Sequence, residues 1–329
     1  MNVSYVKLEV MEETAVATAT TTATTKPISL DDIDLKIIKL LYGDCRTPFR
    51  NIASSVGITP NAVKTRVTKM ISKRIIRKFI VRVNPVVLGY ESECILIIRY
   101  HNKRLIKEED IIKKLNLVGD TLVYVTSLER AAMFLILVKA GAEDKMELIS
   151  DLLKPAVVES MLIPLKPVSM NITISDLRII KCLLSDARME IADIAKQASI
   201  SSRTVTRRLE KMRQKHVLMD FIALKDASSM QLIGYIEFVV LINVDRSLHQ
   251  YILERMHHEL NEYLGVIMNP NQTGAILENF SCSNIPTIDS ILTAIESYNG
   301  VRHIELFIIT RIAYYQEWLE REINKRIMS

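Results

Sequence analysis

Two stretches of the chain concentrate basic residues. From Thr59 to Val83 there are eight lysines and arginines and no acidic residue, and from Ser201 to Lys225 seven basic residues stand against Glu210 and Asp220. Lysine and arginine at this density are suited to neutralising the phosphates of a nucleic acid. The net charge of the whole chain is only +5, so the clustering of the charge, and not its total, predicts the partner.

The two basic stretches are equivalent parts of an internal repeat. Residues 34–80 align with residues 176–222 without a gap, at a constant offset of 142. Identical pairs include Asp34 with Asp176 and Arg66 with Arg208. The period is too long for a solenoid, so the repeat indicates two copies of a whole folding module.

The spacing of apolar residues predicts three helices in the first copy. Asp31–Tyr42 and Pro48–Val56 carry apolar residues at helical intervals. Gly57 ends the second helix, and Thr59 followed by Pro60 is a favourable start for a third.

The second copy repeats this order. Ile174–Leu184 and Glu190–Ala198 are its first two predicted helices, Ser199 replaces the turn glycine, and Ser201 caps the third helix. This succession is the helix-turn-helix plan. The segments after the third helices, 75–83 and 217–224, are rich in strand-forming residues and predict a wing hairpin in each copy.

Helical geometry sorts the side chains of the third helices. With Val63, Val67 and Met70 buried, the opposite face is polar and can reach base edges in a major groove. The predicted base-contacting residues are Asn61, Lys64, Thr65, Thr68, Arg203, Thr206, Arg207 and Glu210. The predicted phosphate-contacting residues are Thr59, Arg66, Lys69, Lys73, Arg74, Ser201, Arg208, Lys211 and Arg213. Because the two faces differ, the copies should not read the same half-site.

Each copy is followed by a segment of alternating strands and helices. The order strand, helix, strand, strand, helix, strand predicts a ferredoxin-like sandwich, in which two helices cover one face of an antiparallel sheet. The strands of the second segment are predicted at 235–244, 263–268, 275–281 and 301–309, and a final helix at 313–327.

The predicted fold class is α+β, with two winged helix-turn-helix domains alternating with two ferredoxin-like (βαββαβ) sandwich domains, plus a C-terminal helix. The predicted boundaries are 1–29 for a disordered Thr/Ala-rich tail, 30–90 and 169–234 for the helix-turn-helix domains, 91–168 and 235–312 for the sandwiches, and 313–329 for the C-terminal helix.

Other kinds of site have little support. The four cysteines lie far apart, and the six histidines are scattered. No glycine-rich phosphate loop, nucleophile elbow or pair of catalytic carboxylates is present. We therefore predict no catalytic residue, no metal and no cofactor. No apolar run approaches the ~20 residues that span a bilayer, and no signal peptide is evident, so a cytoplasmic, nucleoid-associated location is expected.

Two motifs resemble a known family. LDDIDLKIIKLL (residues 30–41) and FRNIASSVGITPNAVKTRVTKM (49–70), followed by a wing and the step LGY, are similar to the Lrp/AsnC (leucine-responsive, feast/famine) transcription regulators. The resemblance covers residues 30 to about 312 as two consecutive units. It implies prokaryotic or archaeal transcription regulation by a winged helix-turn-helix joined to an αβ sandwich, which dimerises and can bind small effectors, often amino acids.

The resemblance leaves the assembly and the effector open. One chain could act as an intramolecular pseudo-dimer on double-stranded DNA, or each sandwich could pair with its equivalent in a second chain. The loops between the middle strands depart from the Gly–Asp-like pattern of the family, so the sequence does not predict an amino-acid effector. The candidate effector-loop residues are Ser127, Glu129, Arg130, Asn271 and Thr273.

An enzyme is the alternative. Sirohaem decarboxylases resemble fused or paired units of the same family, and they are expected to carry His, Tyr and Arg or Trp in the middle strands of the sandwich. Here those strands read TLVYVTSLERAAMFLILV and YLGVIMNPNQTGAILENF, without a histidine. The sequence therefore favours the regulator.

Overall fold

The computed structural model describes residues 30–100, 107–129, 131–232, 234–265 and 274–328, and the chain enters it through a three-helix head. The helices of this first head are α1 (Asp32–Gly43), α2 (Phe49–Val56) and α3 (Pro60–Ser72). Asp31 caps α1, because its carboxylate accepts from the Asp34 N–H while the Asp34 carboxylate accepts from the Asp31 N–H. Such a capping box satisfies two N–H groups that the helix leaves unpaired.

A strand and the first sandwich follow. Their elements are β1 (Ile76–Val83), a 3-10 turn (Pro85–Leu88), β2 (Ser92–Arg99), α4 (Glu108–Leu115), β3 (Asp120–Ser127), β4 (Ala131–Val138), α5 (Ala142–Leu152) and β5 (Val157–Pro164). One face of the sheet packs on α4 and α5 through buried residues that include Leu96, Ile111 and Phe134. Burying one such side chain contributes about 1.5–3 kcal/mol.

The second head repeats the first. Its elements are α6 (Ile174–Ser185), α7 (Ile191–Ala198), α8 (Ser202–Gln214) and β6 (Leu218–Lys225), followed by a short α9 (Ala227–Leu232). Thr173 and Asp176 form the capping box of α6, as Asp31 and Asp34 do for α1. The turn before α8 places Ser199 at a φ of 57°, where the first head has Gly57 at 74°.

The second sandwich ends the chain and differs in part from its prediction. Its elements are β7 (Ile236–Val244), a 3-10 turn (Arg246–Leu248), α10 (His249–Glu259), β8 (Ala275–Cys282), α11 (Ile285–Glu296), β9 (Val301–Tyr314) and α12 (Glu317–Met328). Of the strand predicted at 263–268, the described residues contain one bridge, between Leu264 and Phe280. The last strand runs to Tyr314 instead of 309, so the final helix begins at Glu317 instead of 313.

β9 is long because it has two partners. Its first part pairs with β7, with Phe307 opposite Val239, and its second part pairs with β3, with Ile312 opposite Val125. The strands therefore form one seven-stranded sheet in the order β5-β2-β4-β3-β9-β7-β8. The mixed α+β fold with antiparallel sheets, duplicated along the chain, is confirmed.

The two halves of this sheet also pack face to face. Their helix-free faces bury Ile97 and Met133 of the first half with Leu241 and Phe307 of the second. The Arg99 guanidinium on β2 lies 2.6 Å from the Glu305 carboxylate on β9, although β4 and β3 separate those strands in the sheet order. The apolar faces of the two sandwiches thus cover each other within one chain.

The strands that follow the third helices join the two heads. β1 pairs antiparallel with β6, and Ile80 lies opposite Ile222. These two isoleucines are equivalent in the repeat, so the pair lies on a pseudo-two-fold axis between the heads. The wing hairpin predicted within each copy is corrected by this pairing, because each copy supplies one strand of a shared two-stranded ribbon.

Among the described residues, no helix has both the length and the apolar character needed to cross a membrane.

Candidate nucleic-acid interface

The third helix of the first head turns a polar face to solvent. Val63, Val67 and Met70 lie in the core, since their spacing puts them on one side of an α-helix. The predicted base-contacting residues of this helix are all exposed, and they are Asn61, Lys64, Thr65 and Thr68. Thr59 caps the helix by accepting from the Ala62 N–H at 3.2 Å.

The third helix of the second head is arranged in the same way with different side chains. Val205, Leu209 and Met212 are buried. The predicted base-contacting residues are again all exposed, and they are Arg203, Thr206, Arg207 and Glu210. Ser201 caps this helix by accepting from the Thr204 N–H at 3.1 Å. The Thr206 hydroxyl donates to the Ser202 carbonyl, and the equivalent of Ser202 in the first head is Pro60.

Two of the residues predicted to contact phosphates bind aspartate carboxylates of their own heads instead. The Arg66 guanidinium lies 2.8 Å from the Asp34 carboxylate and 2.7 Å from the Asp31 carboxylate, and these hydrogen bonds raise the pKa of Arg66. Its equivalent Arg208 binds the fully buried Asp176 carboxylate through two nitrogens, and this hydrogen bonding raises the pKa of Arg208. We therefore conclude that each arginine holds the third helix of its own head against the first helix of that head.

The rest of the predicted phosphate contacts lie on or near the exposed side. In the described part of the chain, no acidic side chain forms an ion pair with Lys69, Lys73, Arg74 or Lys211. Arg213 is partly engaged, since its guanidinium lies 3.1 Å from the Asp44 carboxylate and over the Phe221 ring.

Two arginines outside the third helices fix the heads to each other. The Arg46 guanidinium donates to the Ala187 carbonyl at 2.7 Å and to the Met189 carbonyl at 3.1 Å. Its equivalent Arg188 returns the contact by donating to the Cys45 and Thr47 carbonyls. Sequence reasoning missed this pair. The available signal was that both arginines are identical in the repeat and lie outside the third helices.

Residues of the candidate effector loop in the first sandwich form hydrogen bonds with other parts of the protein. Ser127 is fully buried and its hydroxyl donates to the Ala131 carbonyl at 3.1 Å. The Glu129 carboxylate accepts from the Ile308 N–H at 3.1 Å, on the strand β9. Arg130, Asn271 and Thr273 lie outside the described residues.

The heads match known domain families. Residues 30–71 match the AsnC-type helix-turn-helix domain, and residues 172–219 match a winged helix-turn-helix DNA-binding domain. The chain is 32% identical over 122 residues to the HTH-type transcriptional regulator LrpA of Pyrococcus horikoshii, covering 37% of this chain and 84% of that protein. It is 33% identical over 100 residues to the regulator FL11 of Pyrococcus abyssi, covering 28% of this chain and 66% of that protein.

A solved structure shares the fold over most of the chain. The crystal structure of the siroheme decarboxylase NirDL aligns with a TM-score of 0.53 at 15% identity, covering 90% of this chain and 98% of that one. The same enzyme in complex with an iron-uroporphyrin III analogue aligns with a TM-score of 0.51 at 16% identity, covering 90% and 100%. At these identities the likeness shows a shared fold.

Proposed function

The chain belongs to the Lrp/AsnC family of transcription regulators, and from this we propose that it binds specific sequences of double-stranded DNA through α3 and α8. The observation that carries the proposal is the exposed polar face on both helices, whose opposite faces are buried in a core that the two heads share. A helix in this setting can enter a major groove without unfolding any part of the head.

A single chain would present both recognition helices. The β1–β6 ribbon and the reciprocal contacts of Arg46 and Arg188 hold the heads about a pseudo-two-fold axis. The sandwiches add a second contact between the halves through their buried apolar faces. The arrangement supports an intramolecular pseudo-dimer, in which binding of one helix to DNA raises the effective concentration of the other.

The target site should be non-palindromic. All four outward positions of α3 differ from their equivalents on α8: Asn61 corresponds to Arg203, Lys64 to Thr206, Thr65 to Arg207 and Thr68 to Glu210. Asparagine favours adenine, arginine favours guanine, and glutamate can accept from the amino group of cytosine. The two half-sites should therefore have different base preferences.

Contacts to phosphates would provide much of the affinity. The exposed cations Lys69, Arg74 and Lys211 carry no ion pair in the described residues, so they are available to replace the counterions of the duplex. Because the contacts of such residues carry no sequence information, they should strengthen binding to all duplexes about equally.

The decisive experiment is unbiased selection of binding sites, followed by titration of the selected duplex at several salt concentrations. We expect an asymmetric consensus and an affinity that falls steeply with salt. The double variant Arg203→Ala/Arg207→Ala should lose about tenfold or more for the selected duplex and relax the preference in one half-site. The matched control is Arg255→Ala/Arg302→Ala, which removes the same charge from the second sandwich. A symmetric consensus, or equal losses in both variants, would contradict the proposal.

The assembly is tested by the mass in solution. The pseudo-dimer predicts that one chain binds one duplex site, whereas pairing of sandwiches between chains predicts two chains and four recognition helices. The apolar faces that could join two chains are already covered within one chain. This supports the single-chain form.

A second candidate function is decarboxylation of a sirohaem. The observation in its favour is the likeness in fold to the siroheme decarboxylase NirDL across 90% of the chain. Against it, β3, β4 and β8 contain no histidine. Incubation of the purified protein with sirohaem, followed by mass analysis of the tetrapyrrole, separates the two functions, because a decarboxylated product would support the enzyme alone.

A further inference from the structure

Each sandwich has a glutamate at the same position of its first strand, but the surroundings of the two carboxylates differ. Glu93 and Glu237 are each the second residue of the first strand of their sandwich, β2 and β7. Both lie next to the ribbon that joins the heads, where β1 and β6 end in Val83 and Lys225. Val83 and Lys225 lie just past the aligned repeat, at the same offset of 142, and each is the last residue of its strand.

In the second sandwich the carboxylate has a cation of its own. The Lys225 ammonium lies 2.8 Å from the Glu237 carboxylate, and both side chains are more than 90% buried. The Lys225 ammonium also lies 4.5 Å from the centre of the Tyr42 ring. Burial lowers the pKa of Lys225, but the charges of Glu237 and nearby tyrosines and the hydrogen bond to Glu237 together outweigh burial, so the pKa of Lys225 is raised.

In the first sandwich the cation is missing. Val83 stands where Lys225 would be, and no hydrogen bond or ion pair joins the Glu93 side chain to any described residue. Arg82, whose charge acts on Glu93, is bound through its guanidinium to Asp220. Desolvation raises the pKa of Glu93, and Arg82 offsets this only in part. A desolvated carboxyl group with neither a hydrogen bond nor an ion pair is poorly stabilised in its charged form.

Glu93 faces a cavity of the size that small molecules occupy. The cavity measures about 720 Å³ and lies between the first sandwich and the second head. Its apolar wall comes from the end of β5, the linker that follows and the start of β6, with Ile163, Leu165, Val168 and Met219. The other charged or titratable residues that line it are Lys166, Lys215, His216 and Asp220. Ligand sites typically combine 300–1,000 Å³ of largely apolar space with a few placed polar groups.

We propose that this cavity binds a small organic amine, with its ammonium against Glu93 in the place that Lys225 takes beside Glu237, and its apolar body against the wall formed by Ile163, Leu165 and Met219. The ligand would complete in the first half of the molecule the ion pair that the second half makes from its own residues. The site is separate from the exposed faces of α3 and α8, so its failure would leave the proposed DNA binding intact.

The first test compares charged and neutral probes on the full chain. A panel of primary amines of increasing apolar size, beginning with cyclohexylmethylamine, is titrated by calorimetry beside the matched alcohols, beginning with cyclohexylmethanol. We expect the amines to bind about tenfold or more tightly than the alcohols, and Glu93→Gln to remove that difference. The control Glu91→Gln removes the neighbouring exposed carboxylate and should change neither affinity.

The second test transfers the cation between the halves. Val83→Lys places an ammonium where the second half has Lys225, so amine binding should be lost while the fold, followed by circular dichroism and by DNA binding, is kept. If Val83→Lys does not fold, the comparison of Glu93→Gln with Glu91→Gln decides by itself.

The third readout is proton release. Because the pKa of Glu93 is raised by burial and an ammonium partner lowers it, amine binding should release protons, measured by calorimetry in two buffers of different ionisation enthalpy. Amines that bind no better than their alcohols anywhere in the panel, up to millimolar concentration, would overturn the proposal. So would amine binding that survives Glu93→Gln unchanged.

Discussion

The two heads are built alike and present different surfaces. The residues that hold each head together are the same in both, namely the capping carboxylates Asp34 and Asp176 with their partners Arg66 and Arg208. The pair that joins the heads, Arg46 with Arg188, is also identical. The four outward positions of the third helices all differ. Duplication has therefore kept the positions that fix geometry and changed the positions that would read DNA.

The largest expected difference concerns the arginines that anchor the third helices. Arg208→Ala leaves the Asp176 carboxylate, whose side chain has no exposed surface, without its cation, and should lower the free energy of unfolding by about 3–5 kcal/mol. Arg66→Ala should cost about half as much, because Arg66 is 29% exposed and water can replace part of its contact. Urea unfolding of both variants measures the ratio.

The control for this prediction is Arg208→Ala/Asp176→Asn, which removes the buried charge and should recover part of the loss. Equal costs for Arg66→Ala and Arg208→Ala would mean that the two heads bury this pair to the same extent in solution.

The second prediction removes the difference between the reading faces. The variant Asn61→Arg/Lys64→Thr/Thr65→Arg/Thr68→Glu gives α3 the outward side chains of α8. Its preferred site should become palindromic, and its affinity for that palindrome should exceed that of the unaltered protein by about 10- to 100-fold. Site selection on both proteins, side by side, makes the measurement. An unchanged asymmetric site would show that α3 does not read bases.

The third prediction concerns the sandwiches. Glu278 of β8 is fully buried, where β4 has Phe134 at the same place in the strand. Burial raises the pKa of Glu278 to about 8, and burial also lowers the pKa of His257, whose Nε2 lies 3.5 Å from the Glu278 carboxylate. Between about pH 4.5 and pH 8, the Glu278 carboxyl group is protonated in the folded protein and ionised in the unfolded chain. The contribution of Glu278 to stability therefore falls as the pH rises through this range.

Glu278→Gln removes this dependence. The stability gained by Glu278→Gln should be about 2–3 kcal/mol larger at pH 7 than at pH 5, measured by urea unfolding at each pH. Phe134→Leu in the first sandwich is the control, since it should lower stability by a similar amount at both pH values. A gain that does not change with pH would show that Glu278 is ionised in the folded protein.

The smallest expected difference concerns the turns before the third helices. Ser199 has a φ of 57°, which strains a residue with a Cβ, whereas Gly57 has a φ of 74° at the equivalent place. Ser199→Gly should raise stability by up to about 1 kcal/mol, and Gly57→Ser should lower it by about 1 kcal/mol. A Cβ on Gly57 would meet no atom within 4 Å, so the effect is conformational and not steric. Thermal unfolding detects changes of this size.

The sequence predicted what depends on local pattern. Periodicity located the three helices of each head, the polar face of α3 and most strands of the sandwiches. It could not predict which strands pair, because β1 meets β6 far along the chain and neither segment encodes its partner. The helical wheel placed Arg66 beside the reading face, but it could not show that the Asp34 carboxylate lies within 2.8 Å. The unpaired state of Glu93 likewise depends on contacts between distant segments.

The shared strand β9 has a consequence for how the protein is made. Translation produces β3 long before it produces residues 309–314, so the nascent first sandwich has an open edge until β9 has been synthesised. Open strand edges invite pairing with other chains. Synthesis that stops before β9 should therefore leave an aggregation-prone product, and slow elongation between β3 and β9 should increase the need for a chaperone.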